Sequence, residues 1–283
     1  QKIRSWKGEQ IMKKGWKIFA IICAVLAGIG IVLCVAGFAV GVTDEDVRSA
    51  VHRGIGFIRD DDFDDRMEHD DIQVTNSMEL SNTKGIDVEV NKVLVEVVAT
   101  DDGTVRMENA TTKEVGLAVN EDEDSIEIKA TGNTKGINNG GKLTLYIPRN
   151  IQLPEISIQN GNGKINLNGI RTNEVDLEIG RGEIIATDFV TGELSVSCGH
   201  GVANIKGTTQ RDVDLECGVG VINLETKGKQ ADYNYEIEVG AGEVNFDGQK
   251  FSGLAVEKTI NNHAVKEMGI DCATGKVNVI FGQ

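Results

Sequence analysis

From about Lys84 to the C-terminus, apolar and polar residues alternate in short runs separated by polar turns. The runs IDVEV, VLVEVVA, TVRME, GLAV, SIEIKA and LTLYI come first. A period of two puts alternate side chains on opposite faces, so each run predicts a strand with one buried side. From about Glu155 a longer period takes over. ISIQNGNGKINL (156–167), LEIGRGEIIA (177–186), VSCGHGVANI (196–205), LECGVGVINL (215–224) and IEVGAGEVNF (237–246) each place a Gly-x-Gly between two alternating runs. The second glycines, Gly163, Gly182, Gly201 and Gly220, stand 19 residues apart and are followed by Gly242 and Gly275. The first glycines, Gly161, Gly180, Gly199, Gly218 and Gly240, keep step, and Ala273 takes that place in the last copy. A ligand pocket is not copied six times in register, so the Gly-x-Gly reads as a corner.

One coil of two short runs cannot bury its own apolar side, whereas a stack of coils can. The pattern therefore predicts an all-β, single-chain parallel β-solenoid with coils of ~19–22 residues and GxG corners. Positive φ is expected at the corner glycines, including Gly220. The last coil, GIDCATGKVNVIF, is expected to pack on YEIEVGAGEVNF and to cap the open end, with the excursion 247–267 folding over the stack.

Within the coils, Cys198 and Cys217 hold one position and Cys272 falls within a residue of it. All three share parity with the inward aliphatics and are expected to be buried thiols. A Cys198–Cys217 disulfide is the weaker alternative, because it leaves Cys272 without a pair. The absence of any CxxC gives no support to a zinc or redox motif. Asn166, Asn204, Asn223, Asn245 and Asn278 recur between inward apolar residues, with Ile185 breaking the series. Asparagine is disfavoured in strands, so its return predicts a ladder of side-chain amides bonded from coil to coil.

Ahead of this body, Ile18 to Val42 contains no charge and no proline. At about 1.5 Å per residue such a helix exceeds the roughly 30 Å hydrocarbon core of a bilayer, which predicts one N-terminal transmembrane helix. A cleaved signal peptide ending near AVG (39–41) is the rival reading. Residues 1–17 hold six Lys/Arg and one acid, and TDEDV follows the span. By the positive-inside rule the N-terminus is cytoplasmic and the body extracytoplasmic. Met12 reads as the natural start. Thr43 and Asp46 fit a capping box for a short juxtamembrane helix. RDDDFDDRMEHDD (59–71) lacks EF-hand spacing and reads as an acidic stalk. The organisation is thus a basic N-terminus (1–17), a transmembrane helix (18–42), a stalk (43–83) and a β-repeat domain (84–283). The formal net charge of −15 argues against nucleic acid as a partner.

Little in the chain carries chemistry. GINNGGKLT (136–144) approaches a P-loop, but Leu143 replaces the Ser/Thr and a strand pattern follows where a helix must hold the phosphate. Of His52, His69, His200 and His263, only His200 lies in a coil, at an expected exposed corner tip. The outward acids Asp176, Glu178, Asp214, Glu216, Glu236, Glu238 and Asp271 could pair as a polysaccharide-cleaving site. Simple polar-out alternation predicts the same residues without activity, and Ser195 and Ser197 interrupt the column. The residues therefore assign no catalytic, cofactor-binding or metal-binding position, and no cofactor.

MKKGWKIFAIICAVLAGIGIVLC, the acidic stalk, and coils such as VDLECGVGVINL and YEIEVGAGEVNF together resemble the bacterial membrane-anchored β-strand-repeat family known as "putative adhesins", a domain of unknown function. The resemblance covers roughly 84–283 and the anchor. It implies a Gram-positive-type envelope setting and, in some members, neighbouring genes of envelope-stress signalling. The reading is a non-enzymatic module held at the cell membrane by residues 18–42, meeting a cell-surface, cell-wall or membrane-protein partner. The alternative is an accessory or regulator of envelope-stress signalling, and a carbohydrate-active β-helix enzyme is a third reading.

Overall fold

The structure, a computed structural model, describes residues 73–111, 115–132 and 140–282. The predicted membrane segment 18–42 lies outside them. Among the described residues no helix is long and apolar enough to cross a membrane. They form β1 (Gln73–Leu80), β2 (Gly85–Val90), β3 (Leu94–Thr100), β4 (Val105–Thr111), β5 (Val115–Glu121), β6 (Ser125–Gly132) and β7 (Gly141–Pro148). There follow β8 (Leu153–Asn168), β9 (Arg171–Thr209), β10 (Val213–Cys217), β11 (Val221–Lys227) and β12 (Tyr233–Val239). Last come β13 (Glu243–Phe246), β14 (Gln249–Ser252), β15 (Val256–Ile260), β16 (Lys266–Cys272) and β17 (Lys276–Gly282). All seventeen join one hydrogen-bonded sheet network, and the all-β expectation holds.

The 19-residue period becomes pairing register. Ile156, Ser157 and Ile158 of β8 stand beside Val175, Asp176 and Leu177 of β9, in parallel. Val213, Leu215 and Cys217 of β10 stand beside Leu194, Val196 and Cys198. Beyond the corner, Ile222 and Leu224 of β11 stand beside Ala203 and Ile205. Each coil thus has a first arm, a corner and a second arm. Inward residues such as Ile158, Leu177, Val196, Leu215, Ile237 and Ile270 are all essentially inaccessible to water. At ~1.5–3 kcal/mol for each fully buried aliphatic side chain, this shared interior is the main stabilising term.

The coils do not stack in chain order. β16 lies between β10 and β12, parallel to both, with Ile270 beside Leu215 on one side and Ile237 on the other. β17 lies likewise between β11 and β13. The C-terminal coil is therefore inserted inside the stack, and the expectation that it caps the end is corrected. The outermost C-terminal coil is β12–β13. Its free edges are covered by the antiparallel strands β15 on β12 and β14 on β13, both from the excursion 247–267. Tyr233, Tyr235, Phe246 and Phe281 meet inside this end, with Tyr235 edge-on to Phe246 at 4.4 Å and Phe246 edge-on to Phe281 at 5.6 Å. Two of the chain's three tyrosines thus fill the interior between the inserted coil and the outer one, beside Phe246 and the half-buried Phe281.

The N-terminal end follows the same plan. β2 and β3 pair in parallel with both arms of β8, forming a coil that lacks the Gly-x-Gly signature. β6 and β7 flank that coil on its other side. Antiparallel strands then cover it: β5 on β6, β4 on β7, and β1 on β4. Regular coils were expected only from Glu155, so the coil at 85–100 is an addition. Strand β1 also places residues 73–80 of the region read as stalk in the sheet.

The corners need glycine for two reasons. Gly163 and Gly182 have φ of 150° and 129°, where a side chain is strained. Gly220 is not among the positive-φ residues, so the expectation for it is corrected. There the cause is close approach: a Cβ on Gly220 would lie 2.4 Å from the Gly201 carbonyl oxygen. Equivalent atoms on Gly275 and Gly242 would lie 2.3 Å from Gly220 O and 2.5 Å from Gly275 O. The second glycines thus form a column in which backbone sits on backbone, in the same interleaved order as the coils.

Candidate functional site: one acidic sheet face

The outward residues of the first arms build one surface and those of the second arms another. The second-arm surface is neutralised within itself. Its ion pairs include Lys164–Glu183 at 2.8 Å, Lys206–Glu225 at 2.9 Å and Lys276–Glu243 at 3.1 Å. Between these rungs runs the amide ladder. Asn223 Nδ2 donates to Asn204 Oδ1 at 2.9 Å, Asn278 Nδ2 to Asn223 Oδ1 at 2.7 Å, and Asn245 Nδ2 to Asn278 Oδ1 at 3.2 Å. The ladder was expected; its order, with Asn278 third, follows the inserted coil. Asn166 stands beside Ile185, which cannot continue the ladder, and its Oδ1 is buried without a hydrogen-bond partner.

The first-arm surface is different. Asp176, Ser195, Asp214 and Glu236 form one row with Asp87 and Ser157, while Glu178, Ser197, Glu216, Asp271 and Glu238 form the next. Parallel strands stand ~4.8 Å apart, so carboxylates on successive coils are close neighbours. The seven acids singled out from the sequence therefore share one face, with the two serines inside it. Glu257 of β15 extends the second row past Glu238. Gly269, between Asp214 and Glu236, carries no side chain, and Asp214 leans over it, with Oδ1 2.9 Å from the point a Cβ would take.

Crowding at this face perturbs the acids. Burial first, then the charges of Glu238, Asp214, Glu216 and Glu236, pushes Asp271 up to about 7. Burial raises Asp214, Asp176, Glu216 and Glu238 as well, with neighbouring carboxylates adding to it. Ser195 eases Asp176 with a hydrogen bond. At the N-terminal end the charge is answered. Asp87, Glu89 and Glu127 present oxygens within 4.8 Å of one another, a spacing that could hold a cation. Lys129 Nζ lies 2.6 Å from Glu127 and 3.3 Å from Glu89, so an ammonium supplies the positive charge there. The sequence reading missed this quartet, whose signal was the polar-out alternation of IDVEV and SIEIKA.

The remaining candidates disperse. His200 lies at a corner of β9 and is half-buried, not an exposed tip; His263 lies in the β15–β16 connection with φ 57°. His52 and His69 lie outside the described residues. The GKLT of the near P-loop is the start of β7, a strand. Cys198, Cys217 and Cys272 are buried free thiols, as expected, and Cys272 is in direct register with Cys217.

The family model described as Toastrack DUF4097 matches residues 138–279. Among curated proteins, none matches the chain. Among solved structures, the chain is similar to a "putative cell adhesion protein" from Clostridium sporogenes, at 14% identity and a TM-score of 0.41, covering 74% of this chain and 99% of that one. It is similar to a "putative adhesin" from Bacteroides fragilis, at 12% identity and a TM-score of 0.40, covering 73% and 96%. It is also similar to a "putative adhesin" from Parabacteroides distasonis, at 11% identity and a TM-score of 0.39, again covering 73% and 96%.

Proposed function

This chain belongs to the Toastrack DUF4097 family, which is defined by a domain of unknown function, and from that premise we propose a non-enzymatic, membrane-anchored interaction module of adhesin type. In this reading the repeats are a parallel β-solenoid, residues 18–42 hold it to the membrane, and the body stands outside the cell. The in-register parallel arms support the solenoid, and the lysine-rich flank of the span supports the orientation.

The observation that carries the functional reading is the difference between the two surfaces. Acids on the second arms are paired with lysines, whereas the first arms repeat acid from coil to coil with charge left over. A single-sign surface of this kind raises the local concentration of opposite charge and steers its approach, which favours a protein partner with a basic patch. The acids lie on the outward face of the sheet and recur from coil to coil, which favours binding over turnover.

The test uses cells displaying the full chain. External protease on wall-stripped cells should digest the body, and protection would overturn the orientation. A surface variant with Asp214→Asn, Glu216→Gln, Glu236→Gln and Glu238→Gln should lose salt-sensitive adhesion while keeping its display level. Unchanged adhesion would remove this face from the reading.

A further inference from the structure

Chain topology brings Cys217 and Cys272 together across 55 residues. Each is the last residue of its strand, β10 and β16, and the two are direct partners in the parallel ladder. Parallel neighbours stand about 4.8 Å apart, inside the 4.4–6.8 Å Cα window of a disulfide. Both side chains face the interior, at 3% and 2% exposure. The two sulfurs influence one another, which lowers the Cys272 thiol and raises that of Cys217, and the Cys217 thiol donates to the Gly220 carbonyl at 3.1 Å. Cys198 is also in register with Cys217, on its other side, but its sulfur is engaged by the backbone of Val221, and burial pushes its thiol up to about 11. All three sulfurs touch backbone, Cys217 at the Gly220 carbonyl and Cys272 at the Glu243 carbonyl 3.7 Å away, and Cys217 and Cys272 also act on one another.

The geometry points to Cys217 and Cys272 as a disulfide-forming pair that, on reaction with a small-molecule disulfide, staples the inserted C-terminal coil to its neighbour. The Cys272 thiolate attacks one sulfur of the oxidant, forming a mixed disulfide and releasing one small thiolate. Cys217, giving up its proton, then attacks the Cys272 sulfur and releases the second. The protons of both cysteines leave on the two small thiols, so the protein loses two electrons and the oxidant gains them. Placement at strand ends matters, because the backbone there leaves the ladder for the corner and can adjust to the sulfur–sulfur bond. The bridge encloses β11 to β15 in one covalent loop, constraining the unfolded chain and holding the coil whose position is not secured by chain order. An oxidising compartment would keep such a bond, whichever partner the acidic face meets.

The full chain, reduced and then incubated with oxidised glutathione a few degrees below its unfolding midpoint, tests this. Peptide mapping without reductant should find one internal cross-link, Cys217 to Cys272, with Cys198 still alkylatable after denaturation. Oxidation should raise the midpoint by on the order of 10 °C, and reductant should reverse it. Cys198→Ser should leave both results intact, while Cys217→Ser should abolish them. A Cys198–Cys217 cross-link, glutathione adducts without an internal bond, or three thiols intact after exhaustive treatment would each overturn the assignment. The wild-type peptide map stands even if a serine variant fails to fold.

Discussion

Asn278 donates from Nδ2 to Asn223 Oδ1 at 2.7 Å although 55 residues separate them in the chain. Asn245, only 22 residues beyond Asn223, bonds instead to Asn278. The amide ladder thus records the order of the coils, with the C-terminal one slotted between two that are adjacent in sequence. The final residues complete the interior of the stack, and its end is closed by β14 and β15.

Removing 268–283 should accordingly do more than expose one face. It takes away Met268, Ile270, Val277 and Val279, all buried, and leaves β10–β11 and β12–β13 facing a gap. The truncated chain should lose cooperative unfolding and aggregate through unpaired strand edges. A monomer with the parent's midpoint would mean that this segment is dispensable.

Gly220→Ala should destabilise by about 2–3 kcal/mol, because the new Cβ meets the Gly201 carbonyl at 2.4 Å and neither backbone can yield. Val219→Ala, one residue away on a side chain 61% exposed, should stay within about 0.5 kcal/mol. Gly218→Ala should fall between them, since the equivalent position in the inserted coil is already Ala273. Chemical denaturation of the three variants gives the comparison, and equal midpoints for Gly220→Ala and Val219→Ala would remove the corner's role.

The acidic face predicts a pH dependence with a definite sign. Asp271 is held up to about 7 in the folded protein, above its ordinary value of 3.8. The folded state therefore binds that proton more tightly. The stability it contributes is complete below roughly pH 4 and is lost as pH rises through about 7. The thermal midpoint should rise from pH 8 to pH 5, and Asp271→Asn should raise it at pH 8 while flattening the slope. After allowance for screening by water, the gain at pH 8 should be roughly 1–2 kcal/mol. An unchanged slope in the variant would show that Asp271 does not titrate in this range.

Much of this architecture is readable from the residues because a coil repeats its own rules. The 19-residue step fixes which residues pair, parity fixes that Leu215 and Cys217 point inward, and recurrent asparagine marks a ladder. Stacking order is not readable in this way. Cys217-Gly-Val-Gly, Val239-Gly-Ala-Gly and Cys272-Ala-Thr-Gly present equivalent corners, so local pattern cannot say which lies next to which. The coil at 85–100 escaped for the opposite reason. Its corner, Asn91-Lys92-Val93, carries no glycine, and Lys92 itself adopts φ 62°. The outward acids were legible as a column. That this column lacks ion pairs among the described residues depends on the lysines of the other arm, Lys164, Lys206 and Lys276, which pair with Glu183, Glu225 and Glu243 of neighbouring second arms.

The interleaved stack is tested most directly by the spacing of corner tips. Spin labels on Val219→Cys with Thr274→Cys, and on Val219→Cys with Ala241→Cys, read that spacing in the full chain once Cys23 and Cys34 are changed to serine. Native Cys198, Cys217 and Cys272 are buried and should stay unlabelled. With the C-terminal coil inserted, positions 219 and 274 are about one strand spacing apart, near 5 Å, and positions 219 and 241 about two, near 10 Å. The first pair should show much the stronger dipolar broadening. Stronger broadening for 219 with 241 would mean that the coils stack in chain order, and would contradict the architecture on which the account rests.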